Sequence, residues 1–198
     1  MNNYAVNHRL QFSSNVAGNY KFAVLADTVI TGSNSSIGQL RYFLNRATAS
    51  EITNVLHLGP ALSREDVTAW PRIPGLTTWC LTPPPPAAHN GGSRRSDLVA
   101  APTGFVLIRR GRAVPVFLHY RPGSPVVGIG DGVSEIIGGE TTSVHLVGGG
   151  SCHGFQELPD GGLVVSVGTF PPVGALVELW FGDDSEIKCE AQFIERGD

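Results

Sequence analysis

The residues able to do chemistry fall where apolar runs end. Asp27 follows Phe22-Ala23-Val24-Leu25-Ala26, His119 closes Val116-Phe117-Leu118, and Ser151-Cys152-His153 follows Gly148-Gly149-Gly150. Gly59-Pro60 and Thr82 stand in the same kind of place. In open α/β sheets ligands sit beyond the carboxyl ends of the strands. A carboxylate and two imidazoles can hold metals or move protons, and serine and cysteine are potential nucleophiles. The nucleophile chemistries fail on spacing. Cys152 and His153 are neighbours, so on a strand they point to opposite faces and cannot act on each other. Gly149-Gly150-Ser151-Cys152-His153 misses the last glycine of a nucleophile elbow, and no helix follows it. Gly128-Ile129-Gly130-Asp131-Gly132 lacks the spacing and the helix of a dinucleotide loop, and no phosphate-binding Gly-Lys-Ser or Gly-Lys-Thr occurs.

The elements that must position these residues are legible in the periodicity. Tyr20 to Ala26 is an almost continuous apolar run, as in parallel strands buried on both faces. Ile37, Leu40, Phe43 and Leu44 form one helical stripe in a helix starting near Ser36. A strand over Asn54 to Gly59 follows. Ser63 with Asp66 three residues on predicts a capped short helix that ends before Pro71, and Leu76 to Thr82 reads as a third strand. Strand, helix, strand, helix, strand is the order of a parallel sheet with right-handed crossovers.

The pattern then changes. Residues 83–96 begin with four prolines and include Gly91-Gly92, so an exposed loop is expected, cut first by trypsin at Arg94 or Arg95. From Gly104 strands dominate: Phe105 to Arg109, Val114 to His119, Val144 to Val147, and a hairpin of Phe155 to Leu158 with Leu163 to Val167 around Pro159-Asp160-Gly161-Gly162. In the last hairpin Lys188, Glu190 and Gln192 alternate with Ile187, Cys189, Ala191 and Phe193, giving one wet and one buried face. Residues 121–140 are rich in glycine and proline. Residues 1–19 are polar and aperiodic and read as an N-terminal extension to one domain spanning 20–198.

Composition narrows the classes. The chain has 198 residues, 41% hydrophobic and 16% charged, which describes a globular domain with a real core. A net charge of -3 argues against a nucleic-acid partner, and Arg109-Arg110-Gly111-Arg112 reads as a hairpin tip. No apolar stretch approaches a membrane span and no signal peptide is visible, so no membrane insertion is expected. Cys80, Cys152 and Cys189 have no metal-ligand spacing and leave one unpaired, which suits a reducing cytoplasm. Trp70, Trp79 and Trp180 read as packing residues, and His57 and His145 as core or sheet-face residues inside strands. Taken singly, Asp27 also fits a turn acceptor, and His119 and His153 fit hydrogen-bonded structural roles.

Taken in series, these segments resemble the calcineurin-like metallophosphoesterases, in particular their small single-domain phosphodiesterase branch. Lys21-Phe22-Ala23-Val24-Leu25-Ala26-Asp27 resembles the opening strand that ends in Asp-x-His. Val55-Leu56-His57-Leu58-Gly59 resembles the strand that should end in Gly-Asp. Val116-Phe117-Leu118-His119 is similar to the strand with a lone metal-binding histidine, and Gly150-Ser151-Cys152-His153 stands where Gly-His-x-His is expected. Ser166-Val167-Gly168-Thr169 stands in place of an Asn-Pro-Gly-Ser turn. The resemblance implies an α/β fold of two facing mixed β-sheets flanked by helices. It also implies two divalent metals bridged by a carboxylate and a hydroxide.

Carried over position by position, most of that chemistry is missing. Asp27, His119 and His153 match metal ligands, but Val29, Pro60 and Ser151 stand where ligands are required. The third motif's asparagine has no counterpart, His89-Asn90 lying too far along. Pro60 replaces the bridging carboxylate, so two dications would repel each other unscreened. The expectation is a non-catalytic metallophosphoesterase-like domain acting as a protein-binding scaffold or assembly subunit, by itself or with another protein. Similarity in fold to the retromer metallophosphoesterase-like subunit supplies the precedent, by analogy alone. No cofactor is expected beyond at most one weakly bound divalent metal. The alternatives are a remodelled phosphoesterase with one metal on Asp27, His119 and His153, helped by Asp131 or Glu135, and a small-ligand or phosphate sensor.

Overall fold

The computed structural model describes residues 19–28, 30, 34–86, 96–109, 112–121, 143–150, 153–159, 161–168, 174–181 and 187–194. Residues 1–18 of the expected N-terminal extension (1–19), Val29, most of the proline loop with Arg94 and Arg95, Asp131, Glu135, Ser151 and Cys152 lie outside them, while Asn19 belongs to the first strand.

Strand β1 (Asn19–Leu25) carries Phe22, Ala23, Val24 and Leu25, each with no solvent exposure, so both its faces are buried as a continuous apolar run requires. Helix α1 (Asn34–Ala49) follows, then β2 (Asn54–His57), α2 (Arg64–Ala69), β3 (Thr77–Cys80) and β4 (Leu98–Ala100). These four strands pair in parallel in the order β1-β2-β3-β4. Leu40, Phe43, Leu44 and Ala47 of α1, with Val67 and Trp70 at α2, pack on Ala23, Leu25 and Val55, so both helices cover one face of this sheet. The capping box at α2 forms as its sequence predicts, Ser63 accepting from the Asp66 amide and Asp66 from the Ser63 amide.

The second sheet is built from β5 (Gly104–Arg109), β6 (Arg112–Tyr120), β7 (Val144–Gly150), β8 (Gly154–Glu157) and β9 (Leu163–Gly168), in the order β5-β6-β7-β9-β8. β6, β7 and β9 are parallel, while β5 and β8 run antiparallel at its edges. The closing hairpin of β10 (Gly174–Phe181) and β11 (Ile187–Ile194) returns to the first sheet and extends it beside β1. Phe22, Val24, Leu56 and Leu58 meet Val116, Leu118, Leu146 and Val165 between the sheets, and this apolar layer is the main core. Gly148 lets the layers close: a Cβ there would lie 2.6 Å from that of Ala26 and 2.9 Å from that of Leu58. The expectation of two facing mixed sheets with helices outside the first half holds.

Two details differ from the sequence reading. β4 adds a strand between the expected loop (83–96) and Gly104, where no element was assigned, held by pairing to β3 from Thr78↔Leu98 to Cys80↔Ala100. β6 continues to Tyr120, one residue past His119, and that residue changes the site.

Candidate functional site

The ends of β1 and β2 meet at Asp27. Beyond the strands the ladder continues, Leu58 N–H donating to Leu25 O at 2.9 Å and Asp27 N–H to Gly59 O at 2.6 Å. Asp27 adopts a left-handed backbone (φ 54°), a region aspartate tolerates better than most residues. Gly59 has φ 147°, and a Cβ on it would lie 2.6 to 2.8 Å from ring atoms of Tyr120. Glycine is therefore required at 59 twice, by conformation and by the ring above it. A cis peptide bond joins it to Pro60.

Tyr120 is brought there by strand parity. Val114, Val116 and Leu118 are buried between the sheets, and Tyr120 is the next residue of the same parity, carrying its ring past the core to the strand ends. Its hydroxyl donates to Asp27 Oδ1 at 2.7 Å. Burial, and then the bond to Asp27 and its charge, push the phenol up to about 12, so it stays protonated and donating at neutral pH. Asp27 Oδ2 is buried and has no hydrogen-bond partner among the described residues.

The same parity sends His119 the other way. Its ring lies on the outer face of the second sheet, 5.3 Å from that of His145 and tilted 17°, with Nε2 3.1 Å from His145 Nδ1. His145 Nε2 lies 2.9 Å from Ser143 Oγ, and Phe117 stacks on His145 at 5.2 Å. Each contact takes one proton, so the row is a hydrogen-bonded chain whose tautomers are linked. Burial, then His145 and Arg121, lower His119 to about 4. His153 is exposed and packs its ring over Phe193, centroids 4.7 Å apart.

The set of Asp27, His119 and His153 expected from the resemblance is thus not assembled, and that expectation is corrected. Adjacent residues of one strand cannot share a face, and Tyr120, not His119, is the one that reaches Asp27. Among the described residues no group of three or more His, Cys, Asp or Glu side chains is placed to hold a metal. Asp27 offers one carboxylate already bonded by Tyr120, and Pro60 has no side-chain donor, so these residues do not fit a bridged metal pair. Val29 and Ser151 fall outside the described residues. Neither thiol among the described residues offers a nucleophile. Cys80 and Cys189 are free, and burial, with Glu190 adding to it at Cys189, pushes both up to about 12.

Tyr120 was missed as the partner of Asp27, and His145, buried inside β7 as expected of a core or sheet-face residue, was not foreseen as the partner of His119. The signal for Tyr120 was available, because the alternation Val114, Val116, Leu118 fixes the parity of position 120. His145 gave no such signal, since its partner belongs to a neighbouring strand whose register the sequence does not state.

No family model and no curated protein matches the chain significantly. Solved structures do. GAP50, the anchor in the inner membrane complex of Plasmodium, matches at 7% identity and a TM-score of 0.55, covering 92% of this chain and 90% of that one. A predicted phosphoesterase of Streptococcus pneumoniae matches at 12% identity and TM-score 0.44, covering 89% and 99%. Zinc-complexed Vps29 of Entamoeba histolytica matches at 15% and 0.42, covering 87% and 98%. At such identities the likeness concerns architecture alone. That architecture, two facing mixed sheets with α1 and α2 on the first and the last hairpin returning to it, is the calcineurin-like metallophosphoesterase fold.

Proposed function

We propose that this chain is a non-catalytic domain of metallophosphoesterase fold that works as a scaffold, binding another protein or a second copy of itself. One observation carries the reading: the Asp27 carboxylate is taken by the Tyr120 hydroxyl at 2.7 Å, while His119 faces His145 and His153 faces Phe193. In-line attack on phosphorus needs a metal-held hydroxide aimed at the substrate, and among the described residues no group of side chains is placed to hold such a metal. Beyond the strand ends, Pro60 and the run Pro83 to Pro86 leave apolar surface partly or fully exposed. Apolar surface rimmed by polar groups is what partner proteins cover. The anchor description of GAP50 fits this reading by analogy, since one fold hosts many functions.

The test is sedimentation of the intact chain across a concentration series, alone and with proteins co-purified from its source. Association should weaken in Val29→Asp and Pro60→Asp without unfolding. A strictly monomeric chain that captures nothing, yet is stabilised by a small phosphate-bearing ligand, would replace the scaffold with a sensor.

A further inference from the structure

We propose that a second copy of this chain pairs antiparallel with the open side of β11, setting Lys188 of each copy opposite Glu190 of the partner subunit and joining two six-stranded sheets into one. The proposal goes beyond the scaffold reading by fixing both occupant and surface, and it stands or falls apart from the contact at Pro60. Backbone direction comes first. Leu25 accepts from Leu58, so odd residues of β1 turn their hydrogen-bonding groups toward β2 and even ones, Phe22 among them, toward β10. Phe22 pairs with Val177, so Glu178 faces β11 and its partner Glu190 faces back. Ile187, Cys189, Ala191 and Phe193 therefore direct their amides and carbonyls to the side where, among the described residues, no strand lies. Charge then selects what fits. Glu190 stands opposite Glu178, a like-charge pair that disfavours both. Glu178 is compensated by Asn19 at 2.7 Å and Lys21 at 3.9 Å, whereas among the described residues no hydrogen bond or ion pair reaches Glu190. Lys188, Glu190 and Gln192 are all exposed on this face. An antiparallel copy centred on Glu190 would set glutamate on glutamate, and one centred on Lys188 lysine on lysine. Centring on Ala191 offers Glu190 only the neutral Gln192. Centring on Cys189 keeps the outward-bonding residues opposite one another, Ile187 with Ala191 and Cys189 with its copy, and brings a lysine to each Glu190.

The experiment is sedimentation equilibrium of the full chain at neutral pH and low salt, with circular dichroism to show that each variant is folded. The unaltered chain should dimerise. Lys188→Glu and Glu190→Lys should each raise the dimer Kd by about tenfold or more, because two-fold symmetry makes each change act twice. Both side chains are exposed, so neither change should unfold the domain. Mixing the two variants in equal amounts should restore association, since at every opposed pair of positions 188 and 190 one copy then carries lysine and the other glutamate. The doubly exchanged chain, Lys188→Glu with Glu190→Lys, should dimerise as the unaltered one does. A chain that stays monomeric up to millimolar concentration overturns the proposal. So does a dimer indifferent to both single changes, or one that both changes weaken but mixing does not restore. A dimer dissolved by Pro60→Asp and untouched by the charge changes also overturns it, and places the contact at the strand ends instead.

Discussion

Asp66 Oδ1 accepts the Ile30 amide at 3.1 Å, across 36 residues of chain, while its Oδ2 accepts the Ser63 amide at 3.0 Å. One carboxylate thereby closes the start of α2 and fastens the segment that follows β1. Helix caps are worth about 0.5–2 kcal/mol and hydrogen bonds to charged groups roughly 1.5–3. Asp66→Ala is expected to cost about 2–4 kcal/mol in urea unfolding at pH 7. Asp66→Asn should cost less, because its amide oxygen still accepts one of the two bonds. A loss under about 0.5 kcal/mol for the alanine variant would show that the link carries no stability.

His57 gives the fold a defined acid sensitivity. It is 1% exposed, meets Trp70 edge to face at 5.5 Å, and its Nε2 has no partner among the described residues. Burial lowers it from 6.5 to about 4 against the opposing charge of Asp66. Between those values the unfolded chain binds a proton that folded His57 refuses. Stability is therefore full above pH 6.5 and is lost as pH falls toward 4, by about 3 kcal/mol from this residue. His119 is lowered in the same direction and adds a smaller loss, because it is only partly buried. Denaturant unfolding between pH 7.5 and 4.5 should show the decline, and His57→Leu should flatten most of it. An unchanged slope in that variant would assign the protons elsewhere.

Phosphoesterase activity is expected to be absent. With Pro60 in place of a bridging acid, the family's chemistry loses a metal contribution of several kcal/mol, about a factor of ten in rate for each 1.4. Phosphodiester and phosphomonoester substrates with Mn²⁺, Ni²⁺, Mg²⁺ or Zn²⁺ should give no turnover that depends on this chain. Metal-dependent turnover that disappears in Asp27→Asn would overturn the non-catalytic reading.

Two glycine substitutions should act with opposite signs. In Gly148→Ala the new methyl meets the Cβ atoms of Ala26 and Leu58, which are fixed to strand-end backbone and cannot swing away. A cost of about 1–3 kcal/mol is expected, as for overpacked cores. In Gly38→Ala, on the exposed side of α1, the methyl meets nothing within 4 Å. There the gain should be roughly 0.5–1 kcal/mol from helix propensity. Equal effects at the two positions would contradict the close approach of the sheets at Gly148.

The fold was legible where pattern is local. β1, the stripe of α1, the Ser63–Asp66 cap and the alternation of β11 each announce themselves within a few residues, because period and capping are short-range properties. β4 was not legible. Its three residues follow a stretch of proline and glycine, and only the β3 edge beside them makes them a strand. The site was legible as a place but not as a set of partners. Asp27 was found because it ends an apolar run. That Tyr120 rather than His119 reaches it follows from the parity of β6 and from how far that strand runs. The His119–His145–Ser143 row depends on the parallel register of β6 on β7, which pairs Phe117 with His145 and is fixed by packing across the sandwich.

β11 lies at the margin of the first sheet, with β10 on one side and no strand on the other among the described residues. Lys188, Glu190 and Gln192 project from one face of it and are exposed, while Cys189, Ala191 and Phe193 turn inward. A bare margin of this length, eight residues, is a template onto which stray chains can add. Here any incoming strand must lay its own side chains beside the positive Lys188 and the negative Glu190, at about 5 Å spacing. Identical copies stacked in parallel register would set lysine on lysine and glutamate on glutamate, so runaway polymerisation along this margin is disfavoured. A strand whose charges run in the opposite order would meet no such barrier. The margin thus discourages fibrils while leaving a legible address for a matched strand.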